Sequence, residues 1–235
     1  TVSNYHITTF YYFTNFAENE VGQIKNKLEN IARDTQTIGL IILGTEGFNA
    51  TVASTETQLP KFKQALLNQF NLETLNFKDS VCNFKPFKKF KVDVREEIVT
   101  LGRPDIVPDL QNKSLHLSPK EWHEVLTKEK DFLLIDTRNK YETKIGKFKN
   151  AIDPNIGIFT EFPNYIEKEK IPKDKKILVY CTGGIRCEKA AIEMKEKGYE
   201  NIYQLDGGIL KYLEEYPNGE FEGECFVFDS RVAVD

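Results

Sequence analysis

Three short apolar runs, Phe132 to Ile135, Ile177 to Tyr180 and Ile202 to Leu205, are separated by segments long enough for helical crossovers. Strands spaced in this way fold into an α/β layer with a parallel sheet, because parallel neighbours are joined only through a crossover. In such sheets reactive groups gather at the carboxyl ends of the strands. Asp136 follows the first run, Cys181 the second and Asp206-Gly207-Gly208 the third, so three notable features converge on one edge.

The middle of these ends is the most specific. Cys181-Thr182-Gly183-Gly184-Ile185-Arg186 lies between the strand ending at Tyr180 and a helix expected from about Cys187 to Lys197. Gly183 and Gly184 are able to take dihedrals closed to other residues and turn backbone N–H groups inward. The helix start adds its own unpaired N–H groups and positive dipole end. Such a cradle favours an anion, whether a thiolate, a persulfide or a bound oxyanion, and Arg186 in the same loop lowers the thiol pKa further. Cys181 is therefore the expected nucleophile; the bland alternative is a free cysteine ending a core strand. Cys187 falls in line with Ala190, Ala191 and Met194 on the apolar face of the helix, which leaves packing and a redox partnership with Cys181 both open. Cys82 and Cys225 are expected to be bystanders. The four cysteines show no Cys-x-x-Cys spacing, so neither a disulfide framework nor a metal site is expected.

The first part of the chain alternates strands and helices. His6 to Phe13 is rich in Thr, Tyr and Phe; Val21, Ile24, Leu28 and Ile31 repeat at helical spacing; Ile38 to Leu43 is a short β-branched run. Ala50 to Ala53 suits a strand, Leu59 to Phe70 a helix with Phe62, Leu66, Leu67 and Phe70 inward, and Thr74 to Ser80 an extended segment. The order β-α-β-β-α-β is that of a ferredoxin-like α+β unit. Gly102-Arg103-Pro104 and Pro108 then break regular structure, and Ser118-Pro119-Lys120-Glu121 has the residues of a helix-starting capping box. The expected division is a ferredoxin-like domain over 1–97, a linker over 98–117, a parallel-sheet domain over 118–220 and an extension over 221–235.

The chain has 235 residues, 40% hydrophobic and 29% charged, enough apolar material for two modest cores rather than a disordered chain. No apolar run approaches the roughly 20 residues of a membrane span, and no secretory leader opens the sequence, so no membrane association and a cytoplasmic location are expected. A net charge of −4 argues against indiscriminate nucleic-acid binding. Locally, however, Lys85, Lys88, Lys89, Lys91 and Arg95 interleave with Phe84, Phe87 and Phe90. That pattern fits an RNA contact, with lysines on phosphates and aromatics on bases, or an edge strand with solvated lysines and buried phenylalanines. Asp136 and Arg138 suit a buried ion pair with Glu142 as a further partner. His6, His116 and His123 lie at no metal-ligand spacing, His123 reading as a surface residue, and the turn Thr45 to Asn49 either positions a ligand or only joins two strands.

Together, Asp136-Thr137-Arg138 with Glu142, Gly146-x-Phe148-x-Asn150-Ala151, Cys181 to Arg186, and Leu205-Asp206-Gly207-Gly208-Ile209 resemble the successive signatures of a rhodanese domain. The six-residue loop is similar to that of the sulfur-handling members rather than the related phosphatases. Thr45-Glu46-Gly47-Phe48-Asn49-Ala50-Thr51, Lys91 to Val99, Cys181 to Lys189 and Gly223 to Val232 resemble the bacterial tRNA uridine hydroxylases, which carry a ferredoxin-like (acylphosphatase-like) domain before the rhodanese domain. The sequence departs from that pattern with Phe48, Ala50 and Phe221 in place of Ile, Gly and Trp, and without the cysteine-rich tail that usually follows. The resemblance implies a tRNA partner and hydroxylation of the wobble uridine to 5-hydroxyuridine, with molecular oxygen as co-substrate, no identifiable cofactor and Cys181 as the essential cysteine. Two other classes remain: a sulfurtransferase carrying a Cys181 persulfide, and a non-catalytic rhodanese module that binds a partner. The oligomeric state is not legible.

Overall fold

The computed structural model describes residues 4–227, which fall into two compact units, one of residues 4–98 together with Val227 and one spanning Val99–Phe226. In the first, β1 (Tyr5–Phe13), α1 (Val21–Asp34), β2 (Ile38–Gly44), β3 (Gly47–Ser54), α2 (Leu59–Gln69), β4 (Lys78–Cys82) and β5 (Phe90–Val94) form one sheet covered by helices. The strand order is β4-β1-β3-β2-β5, with β5 parallel to β2 and the other pairs antiparallel. The first four strands have the expected ferredoxin-like arrangement. β5, built from the basic segment, is an added edge strand: Phe87 is buried, whereas Phe84 and the five basic residues are exposed.

Burial follows sequence period. Val21, Ile24, Leu28 and Ala32 face inward from α1, and Leu59, Phe62 and Leu66 from α2, onto Phe10, Ile41, Phe48 and Val52 of the sheet. Each fully buried Phe or Leu among them contributes roughly 1.5–3 kcal/mol. Two strand bounds differ from expectation. The strand expected at Ala50 to Ala53 extends to Gly47–Ser54 because it pairs along both edges, and β4 starts only at Lys78, where pairing with β1 begins. Of the turn expected at Thr45 to Asn49, only Thr45 and Glu46 form the tight β2–β3 connection, and Gly47 to Asn49 already belong to β3. Glu46 accepts the Ile98 N–H at 2.7 Å and Asn49 donates to the Ile98 carbonyl at 3.0 Å, so these polar side chains tie down the end of this unit.

The second unit contains β6 (His116–Leu117), α3 (Pro119–Lys128), β7 (Leu133–Asp136), α4 (Lys140–Ile145), β8 (Gly146–Phe148), α5 (Phe162–Glu169), β9 (Ile177–Tyr180), α6 (Ile185–Glu196), β10 (Ile202–Leu205), α7 (Gly208–Glu215) and β11 (Phe221–Gly223). Strands β6-β10-β9-β7 make a parallel sheet, and β11 pairs antiparallel with β8. Successive residues of β9 point to opposite faces. Ile177 and Val179 join a cluster with Phe162, Ala190 and Met194, while Leu178 and Tyr180 join Trp122, Phe148 and Tyr212. A strand buried on both faces must be apolar throughout, which is why Ile177 to Tyr180 shows no alternation. The capping box is formed: Ser118 Oγ accepts the Glu121 N–H at 3.1 Å and Glu121 accepts the Ser118 N–H at 3.1 Å.

The segment expected to link the domains is part of the second unit. Leu101 and Ile106 are buried in its core, and Arg103 pairs with Glu193 and, at 2.9 Å, with Glu196 on α6. Its apolar residues carry no periodicity among the prolines, so the sequence pattern hid their burial. The expected extension likewise begins inside this unit, as β11; its residues from 228 on lie outside the described residues.

Candidate active site

Asp136, at the end of β7, is fully buried and its oxygens are saturated with donors. Oδ1 accepts from Arg138 Nε at 3.0 Å and from the Arg138 N–H at 2.9 Å; Oδ2 accepts from Arg138 Nη2 at 2.8 Å, the Tyr180 hydroxyl at 2.9 Å and Thr143 at 3.1 Å. Arg138 also donates to the Gly146 carbonyl at 2.6 Å. A buried charge pair is retained only when its remaining hydrogen-bonding capacity is met, as it is here. The network fixes Tyr180, the residue immediately before the cysteine, and the Tyr180 carbonyl in turn accepts from the Thr137 N–H at 3.0 Å.

Cys181 has no exposed surface. The Gly184 N–H donates to its sulfur at 3.2 Å, and Gly184 adopts a left-handed φ of 101° to aim that group inward. α7 braces the loop from outside: the Ile209 and Leu210 N–H groups donate to the Cys181 and Thr182 carbonyls, each at 3.0 Å. Gly208 must be glycine, because a Cβ there would lie 2.5 Å from the Thr182 oxygen. Burial by itself raises the Cys181 pKa, but the Cys187 thiol, the Arg186 charge and the N–H groups of Cys187 and Gly184 outweigh it and bring the thiol down to about 6. Cys187 is pushed the opposite way, by burial and by the Cys181 thiolate it hydrogen-bonds.

Cys181 alkylation is therefore expected to rise through about pH 6 and to be flat above it, since the folded pKa is depressed. Peptide mass spectrometry after pulses of iodoacetamide separates the four cysteines. A midpoint near the free-thiol value of ~8.5 contradicts the cradle.

Glu142 corrects one expectation. It pairs with Arg186 rather than completing the Asp136–Arg138 pair, as a fork of 2.7 and 3.1 Å, and accepts from Thr182 at 3.4 Å. Burial opposes its ionisation, but Arg186 and the Asn139 N–H hold the carboxyl below the usual range. Arg186 thus holds the loop as well as lending charge to the sulfur. Ile185 is half-buried at the start of α6, and Cys187 lies at 3.7 Å from the Thr137 hydroxyl, packed as its helix position suggests. Cys225, expected to be a bystander, packs on the cluster that contains Tyr180, with its sulfur toward the Thr182 side chain. His123, expected at the surface, is half-buried, 2.8 Å from the Tyr212 hydroxyl and stacked on Tyr216, and His116 pairs with Glu188 at 2.9 Å. Lys85, Lys88 and Lys89 precede β5; Lys91 and Arg95 both pair with Asp93, at 3.1 and 3.0 Å. A groove of 570 Å³ between α1 and β5, lined by Lys25, Glu29, Arg33, Lys91 and Asp93, is mixed in charge and holds no nucleophile. Among the described residues no group of His, Cys, Asp or Glu is arranged to hold a metal ion, and no helix is long and apolar enough to cross a membrane.

A parallel sheet, an N–H-lined cysteine loop at its carboxyl edge and a split β-α-β sheet before it define a rhodanese-type domain that follows an acylphosphatase-like one. Family models agree, residues 5–98 matching "UPF0176 acylphosphatase like domain" and 118–215 "Rhodanese-like domain". The chain belongs to the tRNA uridine(34) hydroxylase family. It is 52% identical to the protein of that name from Bdellovibrio bacteriovorus over 99% of this chain and 66% of the relative. Those from Prochlorococcus marinus and Wolbachia pipientis are 42% and 41% identical, over 99% and 97% of this chain and 77% and 82% of the relatives.

Proposed function

We propose that this protein is a tRNA-modifying oxidoreductase that hydroxylates uridine 34 to 5-hydroxyuridine, with dioxygen as co-substrate and Cys181 as the reacting thiolate, in the cytoplasm where tRNA is decoded. The observation that carries the reading is the near full-length similarity to tRNA uridine(34) hydroxylases, which runs through both domains and the cysteine loop. The geometry supports it chemically. A pKa of about 6 keeps Cys181 a thiolate at neutral pH, and the Gly184 N–H and the Arg186 charge preorganise that charge without solvent. Cys181 is covered, so a base reaches it only after leaving its stack and opening the loop's surroundings, as enzymes acting on bases require. The test is nucleoside mass spectrometry of tRNA from cells lacking the protein, complemented with this chain under ¹⁸O₂. Loss of 5-hydroxyuridine, restored with one ¹⁸O, is expected; an unchanged modification in the deletion strain overturns the reading.

The exposed basic run before β5 is assigned to RNA phosphates, with the exposed ring of Phe84 beside it. Reversing charge at Lys88 and Lys89 is expected to weaken tRNA binding and to reduce its salt slope by about 1 for each phosphate that is no longer neutralised. Filter binding across a salt series reads this directly. Unchanged affinity and slope remove the segment from the RNA surface.

A further inference from the structure

The Cys181 loop has a second thiol at its rim. β11 pairs with β8 in the register Gly223↔Gly146, and the Glu224 N–H donates to the Ile145 carbonyl at 3.2 Å. This carries Cys225 against the end of α4, the helix whose Glu142 forks Arg186 and accepts from Thr182. There Cys225 packs on the cluster that contains Tyr180, the residue that precedes Cys181, and its sulfur faces the side chain of Thr182, the residue that follows it. Cys225 is partly exposed, whereas Cys181 and Cys187 are both fully covered.

We propose that Cys225 is the resolving thiol of this loop: when Cys181 is oxidised, Cys225 closes a Cys181–Cys225 disulfide. In turnover, a role that rests on the hydroxylase reading above, the two thiols supply the reducing equivalents. Dioxygen places one oxygen atom in the C5–H bond of uridine; the O–O bond breaks, and the second oxygen leaves as water with the thiol proton of Cys225 and one proton from solvent. The two electrons come from the sulfurs, which join as a disulfide. A cellular dithiol then restores both thiols.

The asymmetry of the pair suits that cycle. Thiol–disulfide exchange is fastest when the attacked sulfur is accessible and the departing thiol is acidic. Cys225 is the partly exposed residue of the pair, and its partial burial raises its pKa to about 11, while Cys181 is the acidic one. An incoming thiolate that attacks Cys225 therefore expels Cys181 as the ready-made thiolate. Cys187 lacks that access, since it lies beneath the loop among Ala190, Ala191 and Met194.

One equivalent of hydrogen peroxide, without tRNA, separates the pairing from the reaction. The oxidant converts the Cys181 thiolate to a sulfenic acid with release of hydroxide; Cys225 then displaces water to form the bridge. Non-reducing peptide mapping of the full chain is expected to find Cys181 linked to Cys225. Persistent sulfenic acid beside an alkylatable Cys225, or a Cys181–Cys187 bridge, overturns the proposal. With tRNA, dioxygen and dithiothreitol, Cys225→Ser and Cys225→Ala are both expected to slow 5-hydroxyuridine formation by about tenfold or more while the pH profile of Cys181 alkylation stays in place. Wild-type turnover in both variants overturns the electron-supplying role. A wild-type chain that forms the bridge with peroxide but no 5-hydroxyuridine refutes the hydroxylase reading and leaves the resolving pair standing.

Discussion

Cys181→Ser is expected to abolish 5-hydroxyuridine at position 34 while leaving the fold and tRNA binding intact. Serine is nearly isosteric, and its oxygen still accepts the Gly184 N–H that now donates to sulfur at 3.2 Å. What changes is the charge. The surroundings that bring a thiol to about 6 cannot bring a hydroxyl, far weaker as an acid, into the physiological range, so the cradle holds a neutral group. Serine also has no access to the sulfenic, persulfide or disulfide states of sulfur. Trp122, the one tryptophan of the chain, is buried in the domain that carries the loop, so its fluorescence reports that domain's unfolding independently of activity. The expected result is an unmoved Trp122 transition, unmoved tRNA affinity and product at background in a complemented deletion strain. Full 5-hydroxyuridine with the serine variant sinks the assignment of Cys181 as the reacting group.

The legible parts of this molecule are those in which one local pattern has one structural meaning. Strands β7, β9 and β10 follow from short apolar runs, the helix start at Ser118 from its capping residues, and the Cys181 cradle from a loop placed between strand and helix. Partnerships between residues distant in sequence are not legible in this way. Glu142 and Arg186 are each a plausible partner of several charges, and only the packing of α4 against the loop selects one for the other. Gly208 has the sequence setting of a turn residue, yet its lack of a side chain serves the loop beside it, through close approach to Thr182, Cys181 and Gly184. The place of Cys225 depends on the pairing of β11 with β8, two strands of three residues too short to show a periodicity. The segment containing Leu101 and Ile106 is hidden among its prolines for a similar reason: burial there is imposed by the surface it lies on.

Asp136→Ala is expected to destabilise the rhodanese domain by about 3–5 kcal/mol, the cost of leaving one member of a buried ion pair uncompensated. The substitution strands the guanidinium of Arg138, which is 2% exposed, and removes the acceptor of the Tyr180 and Thr143 hydroxyls. Because Tyr180 precedes Cys181, the damage also reaches the loop: the Tyr180 side chain loses its 2.9 Å anchor and the cradle its fixed entry point. Urea unfolding followed by Trp122 fluorescence measures the loss in this domain. A shift in midpoint worth less than ~1 kcal/mol, the range of an exposed ion pair, would contradict the buried-network account. The double variant Asp136→Ala with Arg138→Met distinguishes charge from packing. If the stranded guanidinium is the main cost, removing it restores a substantial part of the stability, because the second change then acts on an ion pair the first has already broken. Additive losses would instead mean that Arg138 stabilises the domain mainly through the Gly146 carbonyl, which it meets at 2.6 Å, and through the ring of Tyr180.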